Sequence, residues 1–122
     1  MGKFAVKQGK TGFRFNLVAG NGQTIGTSEI YTTKSACLNG CAAIGRAAPK
    51  ANVEDQTQEG FTPAKCPKFE IYTDKAGEFR FRLKAVNGEV SLASEGYKAM
   101  KSCLNGVESV RKNADSPVEI EE

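Results

Sequence analysis

The chain repeats itself, and that duplication limits what it can fold into more than any other feature. Lys3-Phe4 aligns with Lys68-Phe69, and Lys10-Thr-Gly12 with Lys75-Ala-Gly77. With one extra residue, Glu78, allowed in the second copy, Phe13-Arg-Phe-Asn-Leu17 falls on Phe79-Arg-Phe-Arg-Leu83. Asn21-Gly22 falls on Asn87-Gly88, Ser28-Glu-Ile-Tyr31 on Ser94-Glu-Gly-Tyr97, and Cys37-Leu-Asn-Gly40 on Cys103-Leu-Asn-Gly106. Nineteen of forty-six aligned positions are identical across a single gap, which chance does not produce. Such self-similarity marks one supersecondary unit used twice.

The periodicities inside each copy define that unit. Phe79, Phe81, Leu83 and Ala85 alternate with Arg80, Arg82 and Lys84, the period of a half-buried strand. Phe13, Phe15 and Leu17 alternate with Arg14 and Asn16 in the same way. A shorter strand precedes each, around Phe4 and Val6 and around Phe69 and Ile71. Asn21-Gly22 and Asn87-Gly88 are strong signals for a tight hairpin turn. A third strand follows over Gln23–Ser28 and Glu89–Ser94, with its inward face ambiguous: Val90 and Leu92 point one way, Ile25 the other. A helix comes next, with Thr32 or Thr33 as its cap in the first copy and no evident cap at Lys98-Ala99. Cys37, Leu38, Cys41, Ile44 and Ala48 share one helical face, as do Cys103, Leu104, Val107, Val110 and Ala114. Gly40 and Gly106 sit mid-helix, where glycine costs about 1 kcal/mol against alanine; close approach of the helix to the sheet or to the other helix explains why both copies keep it. Short strand-like pieces, 51–55 and 118–121, end the copies. The expected organisation is repeat one at 1–55, a linker at 56–67 and repeat two at 68–122, each repeat βββαβ. About 50 residues is marginal alone, so the copies are expected to share one sheet and one core as a single α+β domain.

These motifs also carry a resemblance. The run from Phe79-Arg-Phe-Arg-Leu-Lys-Ala through Asn-Gly-Glu and Ser94-Glu-Gly-Tyr97 to Cys103-Leu-Asn-Gly-Val-Glu-Ser-Val-Arg-Lys-Asn-Ala114 is similar to the YegP-like family of small bacterial proteins. The resemblance covers nearly the whole chain, closely in the second copy and more loosely in the first. Copy one departs by lacking a counterpart of Glu78, by Gly26, and by Cys41-Ala-Ala-Ile-Gly-Arg46 in place of Val107-Glu-Ser-Val-Arg-Lys112. The resemblance implies one mainly antiparallel sheet with two helices on one face, the last strand of each repeat being swapped onto the other. It implies that this two-copy chain is its own pseudo-dimer, a monomer that needs no partner. It carries no established activity, catalytic residue or cofactor.

Composition narrows the function classes. Of 122 residues, 39% are hydrophobic and 25% charged, ordinary for a globular protein. No run approaches the roughly 18 apolar residues of a membrane span. The N-terminus lacks the apolar core of a secretory signal, and Val6 stands where myristoylation wants Ser or Thr, so a cytoplasmic protein is expected. The net charge of +3 is uneven: residues 1–48 carry six bases and one acid, whereas 117–122 carry three acids and no base. That is a mildly basic body with an acidic tail, not a polycation.

Three groups of residues invite chemistry. Arg80, Arg82 and Lys84, with Arg14 from the other copy, form a basic row that can hold phosphate, with Tyr72 near to stack a base. The structural reading of that row is a solvated strand face neutralised by Glu70, Glu95, Glu119 and Glu121, since opposite charges across strands are an ordinary source of sheet stability. Copy one has fewer acids, so a basic patch should lean toward Arg14, Lys7, Lys10 and Lys34. Cys37 and Cys41 lie one helical turn apart, yet zinc needs two further ligands and the chain has no histidine. The four cysteines are therefore expected to be reduced, the helical ones as small buried apolar groups, with Cys66 the most exposed. Glu29 and Glu95 recur just before each helix. Paired carboxylates suit acid–base chemistry; the structural reading is that each anchors the strand-to-helix turn by accepting backbone N–H bonds. No nucleophile elbow or phosphate loop is present, and Gly9-Lys-Thr-Gly12 joins two strands rather than opening a helix. The resulting expectation is a non-enzymatic protein without metal or cofactor that binds nucleic acid or another polyanion weakly through Arg14, Arg80, Arg82 and Lys84. The alternative is a protein-interaction module that uses a sheet edge or a helix face.

Overall fold

The computed structural model describes residues 2–121; Met1 and Glu122, the latter part of the acidic tail, lie outside the described residues. The first repeat forms β1 (Lys3–Gly9), β2 (Gly12–Val18), β3 (Thr24–Thr27), α1 (Lys34–Ala47) and, after a short 3-10 turn at Ala48–Lys50, β4 (Asn52–Asp55). The second forms β5 (Lys68–Thr73), β6 (Phe79–Lys84), β7 (Val90–Ala93), α2 (Met100–Asn113) and β8 (Val118–Glu121). The strands make one sheet in the order β4-β5-β6-β7-β3-β2-β1-β8. All neighbours are antiparallel except two: β4 runs parallel to β5, and β8 parallel to β1. The last strand of each repeat thus lies against the first strand of the other, and β3 meets β7 at the centre through Thr27 and Ala93.

Alternation decides which side of the sheet is buried. Phe4, Val6, Phe15 and Leu17 from β1 and β2 are buried in one core with Phe69, Ile71, Phe81 and Leu83 from β5 and β6. Cys37, Cys41 and Ile44 of α1 and Cys103, Val107 and Val110 of α2 complete it. Leu104 departs from the expected helical face and is 42% exposed. At about 100° per residue it lies at the flank of the stripe that Cys103, Val107 and Val110 define. The aromatic packing repeats almost identically. Phe4 meets Phe15 edge-on at 5.6 Å, and Tyr31 stacks on Phe15 at 6.3 Å. Phe69 meets Phe81 edge-on at 6.0 Å, and Tyr97 stacks on Phe81 at 6.3 Å.

The mid-helix glycines belong to this stack. A Cβ on Gly40 would fall 2.5 Å from the Tyr31 hydroxyl oxygen, and one on Gly106 2.7 Å from that of Tyr97. The close approach is therefore to the aromatic stack on the sheet, not to the other helix. Thr33 caps α1, its Oγ1 accepting from Ala36 N–H at 3.1 Å, whereas α2 starts without a side-chain cap. The ambiguity over the third strand resolves through a register shift between Leu17 and Val18 in the first copy and between Leu83 and Lys84 in the second. Gly26 and Leu92 then face the core opposite Leu17 and Leu83, and Ile25 is buried beside them.

Candidate nucleic-acid interface

The face of the sheet away from the helices carries the strand charges, and its two halves differ. On the second-repeat half, Glu70 pairs with Arg82 across β5 and β6, and Arg82 Nε donates to Glu70 Oε1 at 2.6 Å. The guanidinium also lies 4.5 Å above the Tyr72 ring, a cation–π contact. Lys84 reaches Glu70 at 3.5 Å, and Lys68 bridges Glu70 at 3.2 Å and Glu54 at 2.7 Å. Arg80 is held by Asp74 at 2.6 Å and donates to the Ser94 carbonyl at 3.1 Å. Three of the four expected site residues are thus tied into ion pairs.

Glu54 arrives from the other repeat on β4 and is only 3% exposed. Its carboxylate accepts from Gln56 Nε2, from Lys68 and from the backbone N–H of Ala64, which brings the 56–67 segment back over it. The Gln56 and Lys68 hydrogen bonds outweigh burial and hold the carboxyl down at about 2. Burial pushes Glu70 up, but Arg82 and Lys68 outweigh it and leave the group below the usual carboxylate range. Arg80 holds Asp74 low as well.

Of the acids expected to neutralise the row, Glu70 does so, but the others do not. Glu119 and Glu121 lie at the opposite edge of the sheet, in register with Ala5 and Lys7, and Glu119 meets Lys3 at 3.3 Å. Glu95 is exposed and makes no ion pair among the described residues. Parallel pairing of the last strands delivers Glu54, not Glu119, to Lys68 beside β5.

The first-repeat half has Ala5 where its counterpart has Glu70, so its cations lack that partner. Lys7, Lys10, Arg14 and Lys34 are all exposed, and among the described residues none has a carboxylate within ion-pair distance. They surround the closed end of the β1–β2 hairpin. An open cleft of about 900 Å³ there is lined by Lys7, Lys10, Lys34, Phe13 and Ile120, with Glu121 as its acid. A smaller recess of about 270 Å³, between Lys7, Phe13, Arg14 and Ile30, adjoins the same hairpin. Of the expected site, Arg14 alone has no ion pair among the described residues, and it stands with the lysines toward which the charge imbalance leaned.

The other candidates fall outside this cleft. Cys37, Cys41 and Cys103 are buried, while Cys66 is half-buried ahead of Pro67. Burial pushes the Cys41 thiol up to about 12 and the Cys103 thiol up to about 11. Glu29 and Glu95 are exposed, and among the described residues no backbone N–H donates to either carboxylate. The anchoring expected of them falls to the preceding serines. Ser28 Oγ accepts from Phe15 N–H and donates to the Glu29 carbonyl, and Ser94 does the same with Phe81 and Glu95. The identity of Ser28 with Ser94 is the sequence signal for this anchor.

A family model described as a domain of unknown function, DUF1508, matches residues 10–55 and again 74–119. A UPF0339 protein of Stutzerimonas stutzeri, from the 5′ region of a ptx operon, is 78% identical over 46 residues, covering 38% of this chain and 41% of that one. The chain thus spans less than half the length of that relative. The UPF0339 protein YegP of Escherichia coli O157:H7 is 34% identical over 110 residues, covering 90% of this chain and 86% of that protein. The solution structure of yegP from E. coli, a protein of unknown function, superposes with a TM-score of 0.79 at 31% identity, covering 98% of this chain and 92% of that one. The tandem repeat and the YegP-like resemblance both hold, and none of these descriptions names an activity. Among the described residues, no helix is long and apolar enough to cross a membrane.

Proposed function

The chain belongs to the DUF1508 family, and from that premise we propose that it binds the phosphate backbone of single-stranded nucleic acid weakly, at the basic end of its first repeat. The observation that carries this reading is the contrast between the two halves of the sheet. Lys68, Arg80, Arg82 and Lys84 are paired with Glu54, Glu70 and Asp74, while Lys7, Lys10, Arg14 and Lys34 have no ion pair among the described residues. Free cations gain from phosphate contact by releasing counterions, whereas paired ones must first give up a carboxylate. Phe13, half-buried in the same cleft, offers an edge against which a base can pack. Arg80, Arg82 and Lys84 then act as the rigid second-repeat half of the face, and Arg14 is the one contact retained from the original basic row. The protein acts in the cytoplasm as a monomeric unit, its repeats at 1–55 and 68–122 joined by 56–67.

An amide-shift titration with single-stranded DNA and RNA, run at two salt concentrations, tests this. The expected result is salt-dependent shifts at Lys7–Arg14 and Lys34. Shifts that ignore salt, or none along the β1–β2 hairpin, would remove the reading.

A second reading has its own observation. Pro117 offers its carbonyl to Phe4 N–H, so in the alternation of a parallel pair Val118 and Ile120 turn their backbone groups away from β1. Their side chains are 43% and 45% exposed, and β8 ends the sheet. Such an edge suits strand addition by a partner protein. Ile120→Pro removes an outward N–H without touching the β1 pairing, so loss of a captured partner in this variant supports edge pairing, and equal recovery counts against it.

A further inference from the structure

Where one repeat meets the other, the fold builds the same cleft twice. One, of about 410 Å³, lies between the β2–β3 hairpin of the first repeat, with Asn21, and Glu95, Tyr97, Asn105 and Gly106 of the second. The other, of about 280 Å³, lies between the β6–β7 hairpin, with Asn87, and Glu29, Tyr31, Asn39 and Gly40 of the first. Every residue named in one cleft is the counterpart of the residue named in the other, and all five positions are identical between the copies.

Some of those identities have structural causes. Asn21 and Asn87 shape their turns by accepting from Gln23 and Glu89 N–H at 3.0 Å. The tyrosines stack on the core, and the glycines admit them. Glu29 with Glu95, and Asn39 with Asn105, have none. All four are exposed, and their side chains make no hydrogen bond or ion pair among the described residues. The copies have diverged at more than half of their aligned positions, including most of the helix surface. Fold alone does not require an exposed carboxylate and an exposed amide to stay the same in both copies, and both lie in the matched clefts beside a phenol.

We propose that the two clefts are a matched pair of binding sites for a cationic hydrogen-bond donor, an ammonium or guanidinium group. The common elements are a carboxylate, two amide oxygens and a tyrosine ring. Carboxylate and amide oxygens accept hydrogen bonds from such a group, and the ring face attracts its charge. The two sites differ at their rims: Gln23, Ser102 and Ser109 line the first, where Glu89, Ala36 and Ala43 line the second. Arg46 also reaches the second rim and offsets Glu89 there. Similar chemistry with unequal affinity follows. A single ligand carrying two cationic groups gains from engaging both clefts only if its span matches theirs.

The test is an amide-shift titration, including asparagine side-chain amides, with N-acetyl-arginine amide and separately with spermidine. N-acetyl-citrulline amide serves as the uncharged isostere. The expected result is saturable shifts at both Asn39 and Asn105, with the citrulline compound at least about tenfold weaker, as a charge-assisted hydrogen bond implies. Glu95→Gln should abolish the shifts at Asn105 and spare those at Asn39, and Glu29→Gln should do the reverse; both positions are exposed, so folding is retained. Shifts with spermidine but not the arginine compound assign the site to ammonium ligands, and the opposite pattern to guanidinium ligands. Equal response to citrulline, shifts at only one asparagine, or none at either with both cations would overturn the proposal. Because the ligand charge is opposite to that of nucleic acid, the outcome is independent of the basic cleft.

Discussion

Gly26 and Leu92 occupy the same position in the two repeats and meet face to face at the centre of the molecule, where a Cβ on Gly26 would lie 2.6 Å from Leu92 Cγ. One copy supplies the side chain and the other the space for it. Gly26→Leu is expected to overpack this junction and cost about 1–3 kcal/mol. Leu92→Gly is expected to open a cavity and cost about 3–5 kcal/mol. The reciprocal double substitution, Gly26→Leu with Leu92→Gly, should recover much of the loss, because residues in contact are not additive. Urea unfolding of the three variants measures this; losses that simply add would show that the two positions do not share one space.

Gly40 and Gly106 invert the usual helix rule. Mid-helix Gly→Ala ordinarily stabilises by about 1 kcal/mol. Here the added methyl meets the hydroxyl of Tyr31 or Tyr97, so Gly40→Ala and Gly106→Ala are each expected to destabilise by about 1–3 kcal/mol. Removing the nearest obstructing atom with Tyr31→Phe should soften the effect of Gly40→Ala. A thermal midpoint for Gly40→Ala equal to or above that of the parent would contradict the packing.

What the sequence disclosed and what it concealed divide along one line, the separation between interacting residues. The hairpins, the helix faces and the repeat are local or self-similar, so Asn21-Gly22, the Phe-x-Phe-x-Leu runs and Cys-Leu-Asn-Gly announced them. The Arg80–Lys84 row is neutralised by Asp74 and Glu70 of its own hairpin, but the second partner of Lys68 depended on which last strand lands beside β5. That non-local pairing brings Glu54 and sends Glu119 to the far edge. The matched clefts were half legible. Glu29, Asn39 and their counterparts stood out as identities, but each cleft closes only when the other repeat's hairpin arrives. The charge of the basic cleft is legible in the sequence, because a shortage of acids in residues 1–48 is a property of composition and survives folding.

Acid should weaken the second-repeat network before it weakens the core. The folded Glu54 carboxyl lies at about 2, below its ordinary value, and Glu70 and Asp74 are shifted the same way. Such groups contribute stability that is complete above their unfolded pKa and lost as pH falls through the folded one. The loss should run from about pH 5 down to about pH 2. Lys68 is raised by Glu54, so its contribution is present below the ordinary lysine range and fades at strongly alkaline pH. Glu54→Gln should cost about 2 kcal/mol near neutral pH, with its deficit closing toward pH 2. A deficit equal at pH 7 and pH 3 would show that the Glu54 charge does not contribute.

Two cations, one paired and one in the β1–β2 turn, should separate stability from binding. Arg82 is fastened to Glu70 at 2.6 Å and lies over Tyr72. Arg82→Ala leaves the buried Glu70 carboxylate with lysines alone and should lower stability by about 2–3 kcal/mol. Lys10 stands exposed in the β1–β2 turn without an ion-pair partner among the described residues, so Lys10→Ala should leave stability within about 0.5 kcal/mol of the parent. For single-stranded nucleic acid the order reverses. Lys10→Ala should weaken binding and lower the dependence of log K on log salt by about 0.7, one phosphate contact's worth on a single strand. Arg82→Ala should leave that slope unchanged. Denaturant unfolding and fluorescence anisotropy on the same two variants give both readings. A slope that falls for Arg82→Ala and holds for Lys10→Ala would move the interface to the second-repeat half, because it would show that Arg82 exchanges Glu70 for phosphate more readily than a free lysine acquires one.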